Sequence, residues 1–174
     1  MDKSRLFLVA DIPGFSSGIS RLVSMMSYTR WTTLKEVEGL SVSQLDYLHD
    51  AESNSIGALL LHIAAIETSY QAATFENRSL TQEEMKVWGT ALKLGQRARL
   101  EIRGDSLGFY LERLEAVRSR TLEELARRSD EWLYEVTPFW NNLPANNYFK
   151  WFHVFEDELS HRGQIRWLRR RATA

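Results

Sequence analysis

The stretch NNYFKWFHVFEDELSHRGQIRWLRRR, residues 146–171, decides the fold. At about 100° per residue, a helix over it divides the polar side chains between two sides. One side carries a narrow stripe of His153, Asp157, His161, Gln164 and Leu168. The far side carries Glu158, Arg162, Arg166 and Arg169. Apolar flanks that include Phe152 and Ile165 border the stripe, so we expect a long helix whose ionisable stripe faces inward.

Three further segments have apolar residues at helical spacing. The first runs from 16–18 to Glu38 and ends at Gly39, and the second runs from Asn54 or Ser55 to Phe75. The third runs from Asp105 or Ser106 to about Arg128. With the last stretch, these patterns predict an all-α four-helix bundle forming one domain over residues 1–174.

Two segments depart from the bundle pattern. Residues 77–104 form a predicted insertion, packed on the outside of the bundle. A short helix within it begins at the capping box from Thr81 to Glu84. The segment 132–144 is rich in aromatic residues and prolines and is predicted to be extended or irregular, leading to an asparagine cap of the last helix. Its rings could cover the end of the bundle, line a pocket mouth or form a dimer surface.

Polar sites in the core of a bundle are built from facing helices. Asp157 and His161 are one turn apart, which is the spacing that a divalent metal needs from one helix. His62 lies in the middle of the apolar stripe of the second helix and joins them as a natural third ligand. Taken alone, a buried histidine is more often a hydrogen-bonded core residue, so both interpretations remain open for His62. His49 has polar neighbours on both sides and is expected to be a solvated loop residue.

The composition excludes several classes of function. The chain has 174 residues, 44% hydrophobic and 26% charged, which suits one core of ordinary size. Its formal net charge of -1 argues against a nucleic acid or an anionic membrane as partner. Because cysteine is absent, a disulfide framework, a thiolate zinc site and a cysteine nucleophile are excluded, and any metal must be held by histidine, carboxylate or water. The apolar run from Leu6 to Ala10 is too short for a membrane span and short for a signal peptide, so a soluble cytoplasmic protein is expected.

Two segments carry a resemblance to a known family. NSIGALLLHIAAIE, residues 54–67, and HVFEDELSHRGQI, residues 153–165, resemble the DinB-like superfamily, and YTRW at 28–31 is similar to its opening helix. The likeness covers most of the chain except the insertion and the first dozen residues. The family motif is a histidine in helix two and a His-x-x-x-His pair in helix four, often followed by Arg-Gly-Gln. His62 and His161 match its metal ligands, whereas Asp157 stands where the first histidine of the pair belongs. The resemblance thus implies a two-histidine, one-carboxylate site suited to Zn, Ni, Fe or Mn.

The resemblance also implies a function. It indicates a divalent-metal-binding protein that acts as a metal-dependent thiol S-transferase or hydrolase, with a low-molecular-weight thiol as co-substrate. The alternative is a catalytically inactive binding or structural module, which the departure at Asp157 favours. His153 could be an outer ligand, but it is interpreted as a proton shuttle at the pocket mouth or as a core histidine bonded to a carbonyl. Glu67 and Glu156 are interpreted as groups that support the ligands or lie at the surface, rather than as ligands themselves.

Members of the family are often homodimers. We therefore expect a homodimer whose surface draws on the rings of Trp88, Trp132, Phe139 and Trp140. Rings that cap the core or line the metal pocket of a monomer are the alternative.

Overall fold

The computed structural model describes residues 5–172, so the ends of the predicted domain, 1–4 and 173–174, lie outside the described residues. The fold is an all-α bundle. Its four long helices are α1 (Ser17–Val37), α3 (Ile56–Phe75), α6 (Leu107–Leu125) and α8 (Asn147–Ala172). The predicted limits of these helices are correct to within about a turn, because caps and apolar periodicity are local signals.

The caps explain why the long helices begin where they do. The Ser55 hydroxyl accepts a hydrogen bond from the Ala58 amide at the start of α3, and Ser106 does the same for Phe109 at the start of α6. The Asn146 side-chain oxygen accepts from the Phe149 amide at the start of α8. Each of these bonds satisfies an amide that has no partner within its own helix.

Shorter elements connect the long helices. They are α2 (Val42–Leu45), α4 (Gln82–Lys93), α5 (Gly95–Glu101) and α7 (Asp130–Leu133). The predicted insertion is α4 and α5, and the capping box of Thr81 and Glu84 is present. The chain turns between them at Leu94 and Gly95, which both have positive φ.

The segment before α8 is more regular than the sequence predicts. After α7 it forms a hairpin in which β1 (Val136–Pro138) pairs antiparallel with β2 (Pro144–Asn146), with Thr137 opposite Ala145. Asn141 and Asn142, in the connecting loop, both have left-handed φ. The expectation of extended chain is correct, but strands this short with a proline in each carry too little pattern to be predicted.

The packing places α8 between α1 and α3, and α3 also packs along α6. The apolar core forms two clusters at the two ends of the bundle. Between them, each long helix contributes one buried charged residue, namely Arg30, Glu67, Arg118 and Glu158. The edge where α3 meets α8 lies beside this charged layer and carries the candidate site.

Candidate metal centre

His62 is held by the insertion. Its Nδ1 lies 2.8 Å from the carbonyl oxygen of Ala91 in α4. A carbonyl only accepts hydrogen bonds, so Nδ1 carries the proton and Nε2 presents its lone pair. Burial, together with the nearby His161, lowers the pKa of His62 despite the opposing effects of the Ala91 bond and the charge of Asp157. The imidazole is therefore neutral at pH 7 and its Nε2 is available as a ligand.

Asp157 and His161 face this nitrogen from α8. The Asp157 Oδ2 atom lies 3.8 Å from His62 Nε2, and Oδ1 lies 3.5 Å from His161 Nε2. The two imidazole rings meet edge to face, with centroids 4.7 Å apart. All three predicted ligands are thus brought together, since one ligand atom from each lies within 4.8 Å of the others.

Two polar atoms of this group are buried without a hydrogen-bond partner, Asp157 Oδ2 and His161 Nδ1. A buried carboxylate oxygen normally has a partner, because losing hydration without replacement costs ~1–3 kcal/mol or more. A cation would satisfy the oxygen, and two imidazoles with one carboxylate suit Zn, Ni, Fe or Mn. The residues therefore fit a divalent metal, and its binding stays a prediction.

His153 lies outside the group of three. Its Nδ1 is 3.0 Å from the Glu156 carboxylate, and its ring lies among aromatic rings from the hairpin and α8. The interpretation as a core histidine bonded to a carbonyl is therefore wrong. His153 lies at the partly exposed mouth of the site, where a proton shuttle is expected.

Glu158 corrects the helical-wheel prediction. It was expected on the far side of α8 but is 0% exposed, and its carboxylate accepts from Arg30 Nε at 2.9 Å. Arg118 Nη2 approaches the same carboxylate at 3.4 Å. Because α8 is covered by α1 on one side and α3 on the other, its inward face is broader than a single stripe.

The stripe itself lies at the rim of the inward face. The side chains of Asp157 and His161 are 19% and 13% exposed, so they are only partly inward. Gln164 and the flanking Phe152 are exposed, although the pattern predicted that both would face the interior.

Glu67 is neither a ligand nor a surface group. It is completely buried and bonded to Arg118 Nε at 2.7 Å, to Arg30 Nη2 at 3.0 Å and to Thr121 Oγ1 at 2.7 Å. Burial alone would raise the pKa of Glu67, but the charges and hydrogen bonds of the two arginines and Thr121 outweigh it and lower the pKa. With Glu158, which pairs with the same two arginines, Glu67 forms a closed network of two positive and two negative charges.

Sequence reasoning missed two groups at the site. The Ala91 carbonyl is a backbone atom on the insertion, for which no side-chain motif exists. Tyr70 lies two turns after His62 on α3, and burial and the charge of Asp157 raise the pKa of its phenol. The sequence places Tyr70 on the apolar face of its helix, and its spacing of two turns from His62 is the signal that could have identified it.

A cavity of about 600 Å³ lies beyond the candidate ligands, toward the C-terminal end of α8, and both polar and apolar groups line it. Its lining includes Ser160 and Gln164, which flank His161 along the helix, and Asn54 before α3. Other lining residues are Glu52, Ser53, Gly163, Trp167 and Leu168. Its size lies within the range of small-molecule sites.

Fold and site together define a helical bundle of the DinB-like kind with a His/Asp/His group at the α3–α8 edge. More narrowly, the chain belongs to the mycothiol-S-transferase family, whose sequence model matches residues 21–174. The chain is also similar to a solved structure, a conserved protein from Enterococcus faecalis, at a TM-score of 0.67 and 15% identity. That match covers 86% of this chain and 93% of the other, and it supports the fold.

Comparison with curated proteins gives no match. None of the helices within residues 5–172 combines the length and the apolar character needed to cross a membrane.

Proposed function

We propose that this protein is a metal-dependent S-transferase that joins a low-molecular-weight thiol to an electrophile. The observation that carries the proposal is the convergence of His62, Asp157 and His161 around a buried carboxylate oxygen without a partner, in a member of this family. A divalent metal bound there would act as a Lewis acid that lowers the pKa of a coordinated thiol. The absence of cysteine is compatible with this chemistry, because the sulfur then belongs to the co-substrate.

The chain's own groups have defined tasks in this proposal. The Ala91 carbonyl orients His62, and the cavity beside His161 offers hydrogen-bonding groups, among them Ser160 and Gln164, to the polar part of the thiol molecule. His153, at the mouth and bonded to Glu156, is the candidate proton carrier for the thiol proton. Sulfur forms one new bond to carbon, and the electrophile either loses a leaving group with its electron pair or takes up a proton.

The test begins with metal content. Protein purified without a metal-affinity column should contain about one divalent metal ion per chain by elemental analysis. Removing the metal should lower the melting temperature, since a ligand that binds only the folded state stabilises it. His161→Ala should abolish the rise in melting temperature that the metal causes. It should also lower the metal affinity by more than about 100-fold, which is a larger loss than removal of a group that only hydrogen-bonds a ligand would cause.

His49→Ala is the matched control, because His49 is an exposed loop histidine outside the group. This variant should bind as much metal as the wild type and have the same melting temperature. Conjugation of mycothiol, glutathione and cysteine to an electrophile is then followed in the loaded protein. One metal per chain without conjugation of any thiol would favour the inactive binding module. Hydrolysis of the electrophile, with water as the attacking group, would favour a hydrolase. An unchanged metal increment in His161→Ala would contradict the site.

A further inference from the structure

An exposed group of aromatic rings lies at the mouth of the candidate metal centre. We call Phe139, Trp140, Phe149 and His153 the aromatic patch. Trp140 is 62% exposed and Phe149 is 47% exposed. The Trp140 ring meets His153 edge to face at 4.9 Å, and the Phe149 ring lies nearly parallel to His153 at 6.4 Å. Two large exposed rings that both contact one histidine ring are more typical of a binding surface than of a solvated end of a bundle.

The hairpin holds the patch in place. The Phe139 ring is stacked under the Trp140 ring, with centroids 4.9 Å apart. Lys150 Nζ lies over the Phe139 ring, 5.9 Å from its centroid. The Phe139 amide donates to the Leu143 carbonyl at 2.8 Å, which closes the loop that presents Trp140. The indole is therefore supported from beneath while its outer surface is open to solvent.

The patch adjoins the metal ligands along α8. His153 comes one turn before Asp157, which is about 6 Å along a helix. Tyr70 of α3 borders the patch, because its ring lies 6.0 Å from His153 and 6.2 Å from Phe139. A molecule resting on the patch would thus extend toward His62, Asp157 and His161.

The two sides of the centre differ in chemistry. Beyond His161, the cavity presents hydroxyl, amide and carboxylate groups beside the apolar Trp167 and Leu168, and these hydrogen-bonding groups suit a polar thiol. Before Asp157, the patch presents aromatic faces and edges, which suit a flat and apolar molecule. A transferase needs two reactants, and the candidate ligands lie between an aromatic surface and a cavity that offers hydrogen-bonding groups.

We propose that the aromatic patch is the acceptor subsite and that it takes flat aromatic or conjugated carbon electrophiles, a proposal that rests on the S-transferase function. Trp140 and Phe149 determine this specificity by stacking on the electrophile. With 1-chloro-2,4-dinitrobenzene as probe, the thiol sulfur bonds to the ring carbon, chloride leaves with its electron pair, and the thiol proton passes to solvent.

The test compares two electrophiles on the metal-loaded protein, the aromatic 1-chloro-2,4-dinitrobenzene and the small non-aromatic iodoacetamide. Trp140→Ala should raise KM for the aromatic probe about fivefold to tenfold, the scale of one aromatic contact, and leave KM for iodoacetamide and for the thiol unchanged. Phe149→Ala should act in the same direction. Phe7→Ala is the matched control, because Phe7 is an exposed ring that packs on Tyr28 and Trp31 of α1. It should change neither KM.

Binding is measured separately with 1,3-dinitrobenzene, which has no leaving group, by isothermal titration calorimetry. Binding to the wild type that weakens in Trp140→Ala supports the subsite even if no thiol is conjugated, so the two proposals fail independently. An equal rise of KM for both electrophiles, or absence of binding to the wild type, would overturn the subsite. The same holds if Trp140→Ala turns a dimer into a monomer and leaves both KM values unchanged, because the patch would then be an interface.

Discussion

Asp157 is the residue at which this chain departs from the motif of its family. Its Oδ2 atom is buried, lies 3.8 Å from His62 Nε2 and has no hydrogen-bond partner. A carboxylate adds a negative charge and a harder ligand than imidazole does, so the metals preferred at this position change with the residue. We therefore expect the departure to change the preferred metal, while the three candidate ligands remain together.

Asp157→His should restore the motif and change the metal preference. We expect the affinity for Zn and Ni to rise relative to that for Mn, because imidazole is the softer ligand. Competitive metal titration of the wild type and the variant measures the ratio. Asp157→Asn is the control, since it keeps the shape of the side chain and removes its charge. It should lower the affinity for all of these metals. A Zn-to-Mn ratio that is equal in the wild type and Asp157→His would contradict a role for residue 157 as ligand.

At the scale of the elements, α8 carries two functions on neighbouring residues. Asp157 faces the α3 edge, while Glu158, about 100° further round, enters the core and meets Arg30 and Arg118. On α3, His62 likewise belongs to the candidate metal group, whereas Glu67 belongs to the charged network. The charged network therefore ties α3 and α8, the two helices that also carry the candidate ligands, to the two arginines of α1 and α6.

Glu158→Gln should destabilise the fold by about 3–5 kcal/mol, because the buried guanidinium groups would lose a negative charge that pairs with them. Urea denaturation measures the free energy of unfolding. Glu156→Gln, on the same helix but exposed, is the control and should stay within about 0.5 kcal/mol of the wild type. Similar losses in the two variants would show that the network contributes nothing specific.

Acid should weaken the same network through Glu67. Its pKa in the folded protein lies below the value of 4.5 for an unperturbed glutamate. The folded state therefore binds this proton less readily than the unfolded state, and the stabilisation is complete above about pH 4.5 and is lost as the pH falls toward the lower, folded value. Free energies of unfolding measured between pH 7 and pH 3 test this. Glu67→Gln should be less stable at pH 7 and should lose less stability than the wild type below pH 4.5, and parallel pH curves would contradict the assignment.

At the scale of the whole molecule, the bundle has a charged layer between two apolar clusters, and its exposed rings are unevenly distributed. Of the four rings predicted for a dimer surface, Trp132 is buried and Trp88 and Phe139 are partly buried. Trp140 alone among these four is freely exposed. Its contact with His153 favours the alternative in which these rings line the pocket.

The homodimer stays a prediction and needs a direct measurement. Light scattering coupled to gel filtration at micromolar protein should give twice the 20.2 kDa of one chain. An interface of about 800 Å² per partner is the usual requirement. A mass near that of one chain would contradict the dimer, and Trp88→Ala tests whether the insertion contributes to it.

Much of the fold and of the candidate site could be predicted because the signals are local. The periodicity of α8, the spacing of Asp157 and His161, the capping box at Thr81 and the position of His62 in an apolar stripe all depend on residues within a few turns of one another. The DinB-like resemblance added that these segments face each other. Together they determined the bundle and the three candidate ligands.

Only the tertiary structure decided which groups complete the site. A helical wheel gives the angles between side chains but not which direction is inward, so Glu158 could be assigned to the core only once Arg30 and Arg118 were seen to neutralise it. A buried charge is tolerated where another element supplies its partner, and that partner is distant in sequence. The same holds for the Ala91 carbonyl that orients His62, and for the hairpin that sets Trp140 beside His153. These contacts join residues that no local pattern connects, which is why the sequence predicted the candidate ligands and only the three-dimensional packing determined their surroundings.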